Sequence, residues 1–77
     1  MEHVYDYNYN KLKYYISERV GTQKIMAEML GMTYSTFSKK ISNKRQFSQN
    51  EIVDVINVLN LTDKEIRECF FTKKQKL

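Results

Sequence analysis

The stretch that decides the fold is residues 22–41, TQKIMAEMLGMTYSTFSKKI. Its apolar residues recur at the spacing of two amphipathic helices, which we predict at about residues 23–30 and 34–42. Gly31 lies between them and tolerates the left-handed backbone angles of a tight turn. The small Ala27 allows the two helices to cross closely. The spacing therefore predicts a helix-turn-helix.

The second helix of this unit is predicted to present hydroxyl and amine groups to solvent. If Phe37 and Ile41 face the core, a turn of 100° per residue points Ser35, Lys39 and Ser42 outward. The helix carries no carboxylate, so its outer face suits the phosphate-lined major groove of DNA. Two further hydroxyls flank this face, those of Thr36 and Ser38.

Three more helices are predicted around the unit, which makes the chain an all-α, compact five-helix domain. Helix 1 is expected at about Lys11–Arg19, with Asn10 as its N-cap and Gly21 just past its end. Helix 4 begins near Gln49, and helix 5 ends near Phe71. Each of these two helices is opened by a capping-box pattern, Ser48–Glu51 and Thr62–Glu65 respectively.

The apolar positions of these helices predict the core. The three methionines of the central stretch, Met26, Met29 and Met32, are interpreted as flexible core filler. The single cysteine, Cys69, is expected to act as a small buried hydrophobe. The remaining predicted core positions are Leu12, Tyr15, Ile16, Val20, Ile25, Leu30, Ile52, Val53, Val55, Ile56, Leu59, Ile66 and Phe70.

We divide the chain into an N-terminal arm (residues 1–9), a single domain (10–71) and a basic C-terminal tail (72–77). The tail is expected to be frayed, and the arm to be extended. The N-terminal region is rich in tyrosine, a residue favoured at interfaces, and the cluster is the best sequence candidate for a protein-partner site. Its members are Tyr5, Tyr7, Tyr9, Tyr14 and Tyr15.

The charge is unevenly distributed. The formal net charge is +4, and residues 33–45 hold four bases and no acid, whereas residues 46–71 hold five acids and two bases. Such polarity indicates a polyanionic partner. A solvated basic loop explains the same pattern without any partner, and charge alone leaves both interpretations open. The four bases are Lys39, Lys40, Lys44 and Arg45.

Several functional classes do not fit the residues present. One cysteine and one histidine are too few to hold a structural metal or to form an internal disulfide. No apolar run is long enough for a membrane helix, and no signal-peptide pattern opens the chain, so the cytoplasm is the expected location. No phosphate-binding glycine loop or paired carboxylates suggest catalysis. We therefore expect no enzyme, cofactor, membrane or small-molecule substrate.

Residues 22–38 resemble the helix-turn-helix of the lambda-repressor and Cro-like superfamily. More narrowly, the run Lys39–Lys44 with Phe47, Glu51-Ile52 and Phe70-Phe71 is similar to small temperate-phage switch regulators of Gram-positive hosts. That group includes Cro-like regulators and modulators of repression. The resemblance covers about residues 7–71 and implies a lambda-repressor-like fold.

The resemblance also implies roles for individual residues. Gln23 is expected to donate to a phosphate, and Tyr34 and Ser35 to lie closest to base edges. Relatives often have glycine at position 43 and a long polar residue at position 34. The complete set of candidate DNA-binding residues is Gln23, Tyr34, Ser35, Thr36, Ser38, Lys39, Lys40, Asn43, Lys44 and Arg45.

Two functions follow as hypotheses. The first is a sequence-specific transcription regulator of a phage lysis-lysogeny switch, a repressor that binds double-stranded operator DNA as a homodimer or with a partner protein. The second is a modulator that binds a co-encoded phage repressor and alters that repressor's DNA binding. The operator sequence, the direction of regulation and the oligomeric state stay open.

Overall fold

The structure is a computed structural model that describes residues 6–74. Five helices account for most of these residues, which confirms the predicted all-α class. Their order along the chain is α1 (Asn10–Arg19), α2 (Gln23–Met29), α3 (Tyr34–Ile41), α4 (Gln49–Leu59) and α5 (Asp63–Phe70).

Side-chain caps fix where four of the helices begin. The hydroxyl groups of Thr22 and Thr33 accept the amide N–H of Ile25 and Thr36, which opens α2 and α3. The predicted capping boxes before α4 and α5 are both formed. Because each cap satisfies an otherwise unpaired amide, these short helices start at defined residues.

The start of α1 differs from the prediction. Asn10 is the first helical residue and Tyr9 takes the N-cap position without a side-chain cap. The Asn10 amide N–H instead donates to Asn8 Oδ1 over 2.9 Å. The predicted cap at Asn10 is therefore wrong, because an asparagine two residues earlier supplies the acceptor.

The helix α1 lies at the centre of the fold and packs against α2, α4 and α5, while α3 packs against α2. The closely packed crossing of α2 on α3 depends on the fully buried Ala27 and on Gly31. Gly31 has φ +72°, so it supplies the left-handed turn that the sequence predicts. The structure thus contains the predicted pair of short helices joined by a tight turn.

The buried core contains most of the predicted positions. Three of them, Ile25, Met29 and Val53, are 44%, 55% and 48% exposed. Six more pack against the core and are only partly buried, namely Val20, Leu30, Met32, Ile52, Ile56 and Ile66. The interpretation of Met29 as core filler is therefore wrong, whereas Met26 is fully buried and Met32 partly buried. The core consists of Tyr9, Leu12, Tyr15, Ile16, Met26, Ala27, Phe37, Ile41, Val55, Leu59, Leu61, Cys69 and Phe70.

The two chain ends pair with each other. Tyr7 and Lys73 form an antiparallel bridge, flanked by amide-to-carbonyl hydrogen bonds from Asn8 to Thr72 (2.7 Å) and from Lys74 to Asp6 (2.9 Å). The expectation of a frayed tail is thus wrong for residues 72–74. Residues 1–5 of the predicted arm and 75–77 of the predicted tail lie outside the described residues.

An ion pair joins α1 to the start of α5. Arg19 Nη2 lies 2.7 Å from Glu65 Oε2, and Arg19 Nη1 also donates to the Leu59 carbonyl over 3.0 Å. Hydrogen bonds from Arg19 and from the Thr62 amide lower the pKa of Glu65 from 4.5 to about 2. The ionised carboxylate therefore contributes stability above pH 4.5, and this contribution disappears as the pH falls to about 2.

We expect Glu65→Gln to unfold more easily than the wild type at pH 6 but equally easily near pH 2. Glutamine can still accept from the Thr62 amide, so the difference isolates the charge of Glu65. Urea unfolding between pH 2 and 6 measures it, with Glu28→Gln at an exposed position of α2 as the control. A stability gap that stays constant over this range would show that the ion pair does not stabilise the fold.

Candidate interaction surface

Four of the predicted contact residues form an exposed group at α3 and the loop that follows it. Ser35 and Lys39 point to solvent four residues apart, and Lys44 and Arg45 extend this exposed region beyond the helix. This is the orientation that the inward placement of Phe37 and Ile41 predicts. The sequence of α3 contains no acidic residue, so this part of the surface is positively charged.

Tyr34 lies at the first position of α3 and is 52% exposed. Gln23 occupies the corresponding first position of α2 and is half-buried. Thr36 and Ser38 are also half-buried. The Thr36 hydroxyl oxygen accepts a 3.0 Å hydrogen bond from the Thr33 hydroxyl. These residues lie on or beside the exposed group, but their polar atoms differ in accessibility.

Lys40 does not belong to the exposed group. Its side chain is buried, and its Nζ lies 2.9 Å from Glu51 Oε1 and donates to the Gln46 carbonyl over 3.2 Å. The candidate contact role of Lys40 is therefore not supported, because its ammonium group already has two partners inside the protein. Its neighbour Lys39, about 100° further round α3, is exposed.

Glu51 connects this buried lysine to the start of α4. The same oxygen that faces Lys40 accepts the Ser48 amide N–H over 2.8 Å. Burial raises the pKa of Glu51, but the hydrogen bonds from Ser48 and Lys40 outweigh burial and hold that pKa below its usual value. The loop from α3 to α4 is therefore fixed at its far end by an ionised carboxylate.

Asn43 is also engaged within the protein. It adopts a left-handed backbone conformation, with φ +67°. Its side-chain amide makes two hydrogen bonds to the backbone of Tyr7, at 3.0 and 2.9 Å. Asn43 thus supports the exposed loop, and its amide is not among the groups displayed to solvent.

Sequence reasoning missed an apolar component of the surface. Ile25 and Met29 lie four residues apart on α2 and expose 44% and 55% of their area, and the half-exposed Tyr34 follows on α3. The periodicity of α2 did not reveal this, because four apolar residues in eight leave the inward side undetermined. We use "α2–α3 surface" for Ile25, Met29, Tyr34, Ser35, Lys39, Lys44 and Arg45.

The N-terminal tyrosines serve mainly the fold. Tyr9 and Tyr15 are buried, and Tyr7 is half-buried in the chain-end pairing. Tyr14 is 54% exposed and donates a 2.6 Å hydrogen bond to Glu18. The expectation of a tyrosine partner site therefore applies at most to Tyr14 among the described tyrosines of this cluster.

Residues 6–74 show no feature of a redox, metal or membrane site. The Cys69 thiol is fully buried, and burial raises its pKa to about 11, so it is a neutral core group, as expected. Residues 6–74 hold no cluster of three metal-ligating side chains. No helix within these residues has the length and apolarity to cross a membrane.

The comparisons with known proteins place the chain in a family. A family model described as a protein of unknown function, DUF739, matches residues 4–73. The chain belongs to this family. None of the curated proteins matches it.

A solved structure adds a likeness to a phage protein. The chain is similar to the modulator of repression (MOR) of the temperate bacteriophage TP901-1 from Lactococcus lactis, whose solution structure has been determined. The TM-score is 0.74 at 33% identity, over 86% of this chain and 89% of that chain. This DUF739 member is thus similar to a small helical phage regulator over nearly its whole length, and the likeness supports a role in a phage switch.

Lys39 and Lys40 are adjacent in the sequence, but Lys40 is buried and ion-paired whereas Lys39 is exposed. Lys40→Met keeps the buried stem but removes the partner of Glu51, so we expect it to lower the free energy of unfolding by about 1–2 kcal/mol. Lys39→Met, on the exposed side of α3, is expected to leave stability unchanged within about 0.5 kcal/mol. Urea unfolding of both variants tests the assignment, and equal effects would contradict it.

Proposed function

We propose that this DUF739 member regulates the genetic switch of a temperate phage by binding a phage repressor and changing that repressor's DNA binding. It acts without catalytic activity, and its α2–α3 surface is the part that contacts the repressor. The likeness to the modulator of repression over most of both chains supports this class of function.

The observation that carries the proposal is the exposure of apolar side chains on the α2–α3 surface. Ile25, Met29 and Tyr34 are each about half exposed, and they are three of the six large hydrophobic residues that are exposed among the described residues. Tyrosine and methionine are enriched in protein–protein interfaces, where removing apolar area from water stabilises the complex by about 25 cal/mol per Å². A surface devoted to phosphates gains little from isoleucine and methionine, so a protein partner explains them better.

The charged residues of the same surface fit this function as the polar rim of an interface. Lys39, Lys44 and Arg45 follow the apolar side chains in the sequence and are all exposed. Rim charges steer association and select partners of opposite sign more than they add affinity. We therefore assign most of the binding strength to the apolar residues, and orientation, specificity and a smaller share of the affinity to these cations.

The experiment is a titration of the purified chain with the repressor encoded in the same phage switch region, followed by calorimetry. Ile25→Ser/Met29→Ser is expected to weaken binding at least tenfold, because two apolar side chains lose their buried contacts. Val53→Ser, an equally exposed apolar residue on α4, serves as the matched control. Comparable weakening by Val53→Ser, or none by the double variant, would place the interface elsewhere.

A second function, sequence-specific binding of operator DNA through a Cro-like helix-turn-helix, is favoured by one feature. The exposed side of α3 carries Ser35 and Lys39, continues into Lys44 and Arg45, and has no carboxylate. Hydroxyls and cations in this arrangement suit base edges and phosphates. One such unit contacts half an operator, so this function requires a homodimer or a partner protein.

If DNA is the partner, the exposed cations and the start of α3 affect binding differently. Lys44→Ala or Arg45→Ala is expected to weaken binding to every sequence and to lower the salt slope by about one per substitution. Tyr34→Ala or Ser35→Ala is expected to relax sequence preference instead. Mobility-shift titrations with the upstream DNA at several salt concentrations measure both effects, and identical binding by all four variants and the wild type would rule DNA out.

A further inference from the structure

Asn43 links the end of α3 to the N-terminal segment through both ends of its side-chain amide. The Tyr7 amide N–H donates to Asn43 Oδ1 over 3.0 Å, and Asn43 Nδ2 donates to the Tyr7 carbonyl over 2.9 Å. The two residues are 36 positions apart in the chain. The amide therefore pairs with the backbone of Tyr7 much as a neighbouring strand would.

The turn that ends α3 does not need this side chain. The Lys44 amide donates to the Lys39 carbonyl over 2.8 Å, and the Asn43 amide donates to the Lys40 carbonyl over 3.3 Å. This pair of bonds around a left-handed residue is the Schellman motif, for which glycine is the usual choice. The bonds from the Asn43 side chain to Tyr7 are thus a feature added to an already complete helix end.

The linked segment is itself part of a larger unit. Tyr7 is bridged to Lys73, and the adjacent residue pairs fix the chain ends together from residue 6 to residue 74. Tyr7 and Asn43 also line one cleft of about 470 Å³, which Lys13 and Lys74 border as well. Asn43 directly precedes Lys44 and Arg45. It therefore connects the end of α3, where these two cations begin, to the paired chain ends.

We propose that Asn43 is a positioning residue of the α2–α3 surface. The backbone bonds of the turn set its shape, and the Asn43 amide, held at two points, fixes this turn relative to the paired chain ends. The paired chain ends thereby set the direction in which both cations leave α3. This role rests on the proposed function of the surface in binding a repressor.

The variant Asn43→Gly separates the link from the turn, since glycine keeps the left-handed backbone and removes the amide. We expect the amides of Tyr7, Asn8 and Lys74 to exchange hydrogen about tenfold faster, because two hydrogen bonds that hold this segment closed are lost. We also expect affinity for the repressor to fall about fivefold, because the loop samples more orientations before binding.

The matched control is Asn60→Gly, since Asn60 ends α4 with the same left-handed backbone at φ +53°. It should leave the exchange of the three amides and the affinity for the repressor unchanged. Asn43→Asp keeps the acceptor for the Tyr7 amide but not the donor, so it should fall between glycine and the wild type. Thermal unfolding of all variants shows whether each one is folded at the assay temperature.

Unchanged exchange at Tyr7, Asn8 and Lys74 in Asn43→Gly would overturn the proposal, because the link would then not hold the chain ends. Faster exchange with unchanged affinity would also overturn it, since the link would have no bearing on binding. A wild-type chain that binds no repressor contradicts the proposed function and removes the positioning role with it. These failures are distinguishable, because only the last one is seen without any substitution.

Discussion

The ring of Phe47 packs against Tyr9, Phe37 and Phe70, with centroid separations of 5.6, 6.0 and 5.6 Å and steeply inclined planes. These four aromatics come from the N-terminal segment, α3, the loop after it and α5. Tilted aromatic pairs add to the stability gained by burial alone. Because the loop delivers the central ring, the position of α3 depends on this loop being anchored as much as on the helix crossing itself.

This anchor explains how a basic loop stays both exposed and ordered in a small domain. Between Asn43, which ends α3, and Phe47, which enters the aromatic cluster, only three residues remain, and they include Lys44 and Arg45. The buried pair of Lys40 with Glu51 fixes the start of α4 close by. A loop held at both ends loses little entropy on binding, and this preorganisation favours affinity for any partner of the surface.

The helices could be predicted from local signals in the sequence, whereas the candidate site could be predicted only in part. Capping boxes predicted the starts of α4 and α5, and Gly31 marked the turn between α2 and α3, because each is decided by a few neighbouring residues. The direction of Ser35 and Lys39 followed from Phe37 and Ile41 by helix geometry. The buried state of Lys40 was not predictable, since it depends on Glu51, eleven residues away and on another helix.

The pairing of the chain ends was missed for a similar reason. Tyr7 and Tyr9 alternate with polar residues, a pattern equally consistent with an exposed arm or a paired strand. The burial of Tyr9 in the core and the hydrogen bond from Tyr7 to Asn43 hold this segment against the fold, where it pairs with residues 72–74. Neither contact can be read from the local sequence. Likewise, α2 has apolar residues on more than one side, and its sequence does not indicate that Ile25 and Met29 are the ones left in solvent.

The chemistry of the α2–α3 surface separates the two candidate partners more clearly than its charge does. Both DNA and an acidic protein surface attract Lys39, Lys44 and Arg45, so the cations do not discriminate between them. Base edges and phosphates offer no extended apolar area to Ile25 and Met29, whereas a repressor surface does. A protein partner with apolar area would remove Ile25 and Met29 from water and gain the free energy of their burial, which base edges and phosphates do not supply.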